Sequence, residues 1–178
     1  MSSRHSRFRW WPLEPRIAFV AKFVGALIAF YVVTALGPVN DHVVVPFTEI
    51  VVTAAAFLLR SFHQPIYVVG TVIHAPRFGL DVRNGCNGLE AVMVLAAAML
   101  AFPATVRSRV AGLLAGAAAI EILNLVRVTS LVWLGEYHRD LFDFIHVGVW
   151  QSIVILAAMS IFVVWSWKFA DKTVASRS

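Results

Sequence analysis

The sequence predicts an all-α integral membrane protein: about four transmembrane helices, an embedded amphipathic helix and a small extracytoplasmic β-hairpin, in one membrane domain over residues 1–178. Three observations carry that prediction. The chain is 60% hydrophobic and only 14% charged, with a mean hydropathy of +0.78, well outside the range of soluble domains. Apolar runs recur at the length a helix needs to cross a bilayer. The basic residues behind the net charge of +5 sit beside the ends of those runs, where they orient helices. That placement argues against nucleic-acid binding, which needs the cations gathered on one solvated face. A single cysteine rules out an internal disulfide framework.

Residues 1–16, MSSRHSRFRWWPLEPR, form an arginine-rich cytoplasmic segment with a Trp pair. The first span follows at 17–36. A signal peptide starts similarly, but its apolar core is shorter and ends in a small-residue cleavage site. VVTALGPVND is a poor one, so the segment reads as an uncleaved anchor. Residues 43–60 carry Glu49, Thr53 and Arg60 near one helical face, with Phe47, Ile50, Val51, Phe57 and Leu58 supplying the rest. This pattern suits a helix lying in the interface or packed beside the spans, although the length also permits a fifth crossing. Residues 66–83 read as an outer hairpin: Tyr67 to Ile73 is apolar and β-branched, APRFG supplies turn residues, and Leu80 to Arg83 alternates. Further spans are expected at 88–102, which is short, at 110–134, and at 147–167, expected to be a little shorter than its apolar boundaries. A cytoplasmic tail follows at 168–178.

Charge arbitrates the crossings. Basic residues precede the first span, occupy the 103–109 turn (Arg107, Arg109) and follow the last span (Lys168, Lys172, Arg177). The positive-inside rule places all three clusters in the cytoplasm. Four crossings satisfy this, with residues 37–86 and 135–146 both outside, whereas a fifth would expel one cluster. Trp10, Trp11, Trp165 and Trp167 then fall in one inner interface belt.

Three chemically distinctive residues converge at the outer rim. Cys86 lies in NGCNGLE, just before a span. Asn87 followed three residues later by Glu90 resembles a capping box that starts a helix at Gly88. A thiol ahead of a helix N-terminus is favoured as thiolate, although Glu90 opposes this if it faces the sulfur. The ordinary alternative is a buried small hydrophobe. Arg127 lies inside a span, which costs about 2.5–3.5 kcal/mol even on a lenient insertion scale. Asn124 and Glu121 precede it at one-turn intervals. An ion pair with Glu90 or Glu121 is the structural reading; donors aimed at an oxyanion or substrate carbonyl are the functional one. His146 opens the last span and could act as a base for the thiol, or simply sit at the interface beside Asp143. His42, His63, His74, His138 and His146 share the outer side, yet lack paired helical spacing and an HExxH motif, so no metal is expected.

The stretches NGCNGLEAVMVL, EILNLVRVTSLVWLGEYH and FIHVGVWQS together resemble the exosortase/archaeosortase family of membrane transpeptidases, most closely its exosortase H branch. The resemblance implies that Cys86 is the nucleophile, Arg127 the essential arginine and His146 the histidine, with Asn124 in an Asn-x-x-Arg pattern. Asn87 stands where the common family form has serine. Asn87, Glu90 and Asn124 are therefore expected as substrate or oxyanion support. The resemblance also implies substrates: exported proteins ending in a short motif (IPTLxxWG-like for this branch), a transmembrane helix and a basic cluster. Cleavage through a thioester, transfer to an acceptor, no cofactor and a site on the outer face of a bacterial inner membrane follow from the same likeness. Two other classes stand beside it: a non-catalytic membrane assembly subunit, and a histidine-ligated metal or haem protein.

Overall fold

The computed structural model describes residues 15–175, with side chains from 16 to 169. Trp10, Trp11 and Arg177 lie outside the described residues. The main elements of the described residues are five helices and one small sheet. They are α1 (Pro15–Ala35), α2 (Gly37–Ser61), β1 (Tyr67–Val69), β2 (Val72–His74), β3 (Gly79–Asp81), α3 (Leu89–Ala101), α4 (Val106–Tyr137) and α5 (Gln151–Ala175). A π-helical segment, Phe144–Trp150, leads directly into α5. The predicted all-α membrane fold is observed.

Among the described residues four helices are long and apolar enough to cross a membrane: Arg16–Ala35, Gly37–Ser61, Val106–Tyr137 and Phe144–Phe169. The set differs from the expected one, because α2 qualifies while α3, at 13 residues, falls short. At about 1.5 Å per residue α3 covers only about 20 Å. Helix α4 is longer than expected: its 32 residues reach about 48 Å, well past a hydrocarbon core of about 30 Å. Thr105 starts it, its hydroxyl accepting the Ser108 N–H at 3.3 Å.

Those lengths sort the molecule into two layers. In one, α1, α4 and α5 pack around the short α3. Its core joins Leu95, Met99, Ile120, Ala158 and Trp165. Trp165 turns inward, 6% exposed, and donates its indole N–H to the Ser108 carbonyl at 3.2 Å. Of the two belt tryptophans among the described residues, Trp167 is exposed and suits the expected interface belt.

The other layer lies beyond the N-terminal end of α3. Helix α2 covers the last third of α4 and the sheet. Its buried positions Thr48, Val51, Val52, Ala55, Ala56 and Leu59 follow a 3.6-residue period, and they meet Ile73, Leu80, Val82, Val128, Leu131 and Val132. The sheet has three antiparallel strands in the order β1-β2-β3, not the two of the expected hairpin. Gly70, at φ 56, divides the apolar run from Tyr67 to Ile73 with a tight two-residue turn, which composition alone reads as one strand.

Candidate active site

Cys86, Arg127 and His146, which are far apart in sequence, meet where the two layers join. The loop carrying the cysteine is shaped by two left-handed glycines, Gly85 at φ 87 and Gly88 at φ 83. Side-chain-bearing residues rarely adopt that conformation. Gly88 has a second constraint: a Cβ there would strike the carboxylate of Glu121. The turn closes with the Cys86 N–H donating to the Arg83 carbonyl at 2.8 Å.

Cys86 is buried, and its Sγ lies 3.3 Å from His146 Nε2. The His146 ring packs against Phe142 at 5.3 Å between centroids. Burial pushes the Cys86 thiol above its ordinary pKa, and the Arg127 charge only partly opposes this. Desolvation therefore works against the thiolate that the helix end was expected to favour.

Arg127 is 2% exposed. It donates to the Gly85 carbonyl at 3.1 Å and to Gln151 Oε1 at 3.2 Å, while its Nε–H is buried without a partner. Among the described residues the only ion pairs are Arg77–Glu136 and Arg83–Asp81. The pairing of Arg127 with Glu90 or Glu121 considered from the sequence is not formed. The arginine instead grips the backbone one residue before the thiol.

Gln151 escaped the sequence reading because nothing in VWQS marks which face it takes. The π segment supplies the answer. Its i→i+5 turns place His146 and Gln151, five residues apart, on successive turns of one face. In a regular α-helix they would diverge by about 140°. The imidazole therefore faces the sulfur while the amide faces the guanidinium.

The supporting residues divide. Asn87 is fully buried and its amide nitrogen donates to Thr48 Oγ1 at 2.9 Å and to Asn84 Oδ1 at 3.4 Å. Its oxygen accepts the Leu89 N–H at 3.2 Å. Both donors are used, so the side chain ties the cysteine loop to α2. Asn87 caps α3 alone, without the reciprocal carboxylate of a capping box, and the helix begins at Leu89. Glu90 faces the Gly85 backbone and lines a cavity of about 260 Å³ with Tyr31, Arg127 and Gln151. Asn124 is fully buried and faces the buried Glu121 carboxylate one turn earlier, a contact that falls short of a well-aligned hydrogen bond. No group of three or more metal-ligating side chains converges among the described residues.

A multi-pass helical membrane protein with a cysteine–histidine contact and a buried arginine at the join of its layers is the class that fold and site define. The comparison with family models then supplies the family. Residues 9–166 match the transmembrane exosortase family (Exosortase_EpsH), and the chain belongs to it. No curated protein and no solved structure matches the chain.

Proposed function

We propose that this exosortase-family protein is a membrane-embedded cysteine protease/transpeptidase that cleaves C-terminal sorting signals of exported proteins. The observation that carries the reading is the 3.3 Å approach of Cys86 Sγ to His146 Nε2, which is hydrogen-bond reach between a nucleophile and its base. His146 takes the thiol proton as sulfur attacks the scissile carbonyl. A C–S bond forms, the carbonyl electrons move onto oxygen, and the tetrahedral adduct collapses as the C–N bond breaks. The imidazolium returns its proton to the leaving amine, leaving a thioester. An acceptor amine, an acceptor hydroxyl or water then attacks that thioester and frees Cys86.

Arg127 serves two tasks in this scheme. Its bond to Gly85 fixes the loop, and its charge stabilises the developing oxyanion. The unpartnered Nε–H and the exchangeable contact to Gln151 supply donors. Asn124, one turn deeper, assists from the same helix face.

The two layers support a membrane arrangement. Basic residues of α1, of the turn before α4 and of the C-terminal end of α5 lie toward one end, which the positive-inside rule assigns to the cytoplasm of a bacterial inner membrane. Helix α2 packs on the outer third of α4 and embeds at the outer rim, giving four crossings through α1, α3, α4 and α5. Because α3 is short, the cysteine loop is sunk below the outer membrane surface. Irregular backbone is tolerated at such depth only where protein encloses it, as Arg127, Asn87 and Thr48 do here. A substrate tail helix held beside the spans would bring its scissile bond to this depth, replacing a chance encounter with a positioned one. The expected substrate carries a short motif, IPTLxxWG-like for the exosortase H branch, then a transmembrane helix and a basic cluster.

The test is Cys86→Ala, expressed with a sorting-signal substrate. Uncleaved substrate should accumulate while the variant inserts and is retained at the normal level. Normal processing by that variant would end the proposal.

A further inference from the structure

The opposite end of the helical layer carries a second feature, unrelated to the cysteine. A pocket of about 540 Å³ opens between the start of α1 and the turn joining α3 to α4. Its walls are apolar, with Phe19, Leu100 and Phe102 among them, and its cations are Arg16, Lys22 and Arg109. Among the described residues no acid lines it and none of the three cations takes part in an ion pair.

We propose that this pocket is a binding site for one anionic phospholipid of the inner leaflet. Charge complementarity identifies the occupant. Three cations without an acidic partner among the described residues, around an apolar cleft at the end of membrane helices, match a phosphodiester with acyl chains, whereas a soluble anion would leave the apolar walls unfilled. The placement of the cations fits. Lys22 lies six residues beyond Arg16 on α1, about 9 Å deeper, where its ammonium must reach back toward the headgroup level along its own stem. Arg109 is held in place by one donor, its NH2 bonding the Phe102 carbonyl at 2.9 Å, while its Nε–H is buried without a partner. The guanidinium is thereby fixed over the turn with donor capacity remaining. Just beside it α4 begins at Val106, and the positive end of its dipole adds to the same field. The lipid would join α1 to the α3–α4 turn and fasten the first helix to the rest of the layer.

The test uses full-length protein in a neutral detergent and native mass spectrometry with phosphatidylglycerol or phosphatidylcholine of matched chains. Phosphatidylglycerol should be retained about tenfold more tightly, and inorganic phosphate should not displace it. The double substitution Arg16→Gln with Lys22→Gln should bring the two lipids level, Arg109 being kept because it holds the turn. On the unsubstituted protein, phosphatidylglycerol with a photoreactive acyl chain should label peptides covering residues 16–22 and 100–109. Equal retention of both lipids, displacement by inorganic phosphate, an unchanged preference in the double variant, or labelling confined to other helices would each overturn the site.

Discussion

The two layers of this molecule are built from different materials. The inner one is held by bulky side chains, with Trp165 packed edge-on to Phe102 and against Phe162 and Phe169. Its single tryptophan bond to Ser108 is the main polar tie. The outer one buries alanine, valine, leucine and isoleucine from α2, the sheet and α4 together with Cys86, and keeps its aromatics, Phe78, Phe142 and Trp150, only partly buried at the edge. Polar braces cross it: Asn87 to Thr48, Arg127 to Gly85 and to Gln151, and Glu136 to the Arg77 N–H at 2.9 Å. Bulk packing suffices where a helix has only to sit at a fixed depth. Aiming a thiol, an imidazole and a guanidinium at one point needs directional bonds, because dispersion contacts constrain position poorly in angle.

Substitutions should therefore fail differently in the two layers. The largest effect short of removing the nucleophile is expected for His146→Ala, with processing slowed by about 10²–10⁴-fold. Burial raises the Cys86 pKa, so at neutral pH less thiolate is present than on a free cysteine. Raising the pH toward that elevated value ionises the sulfur directly and should recover part of the rate. A pH–rate profile of the variant checks this; a flat profile would remove the base role of His146.

Arg127→Lys comes next. Lysine keeps the charge but loses the planar fork that holds Gly85 and Gln151 together. Turnover should drop by about 10²–10³-fold, the range seen for losing one oxyanion donor, with membrane accumulation unchanged. A wild-type rate would show that charge alone is what the site needs.

The smallest effect belongs to the inner layer. Trp165→Phe keeps the ring contacts and deletes the bond to Ser108, so stability should fall by about 1 kcal/mol with kcat unchanged. Thermal unfolding in detergent alongside a turnover assay separates the two readouts. A fall in kcat to match would mean that the layers are not independent.

The same contrast explains what could be read from sequence. Intramembrane Arg127, the lone Cys86 in its glycine-rich turn and His146 at a span boundary were legible because each is chemically out of place in an apolar chain. Gln151 was not, since a π segment changes which face a residue takes without altering composition. The split of the outer strand at Gly70 was hidden inside a uniformly apolar run. Asn87 was expected near the reacting atoms, but its donors go to Thr48 and Asn84, a tertiary choice that local spacing cannot reveal. The apolar face of α2 packs against the sheet and α4, and α4 extends beyond its expected ends, neither of which composition alone reveals.

The central claim is that Cys86 carries the acyl group, and intact-protein mass spectrometry tests it most directly. Enzyme quenched during turnover of a sorting-signal substrate should gain the mass of the acyl fragment, located on the Cys86 peptide and released by neutral hydroxylamine as a thioester. Cys86→Ala should show no such adduct under the same quench. An adduct on any other residue, or turnover by Cys86→Ala at the wild-type rate, would contradict the account.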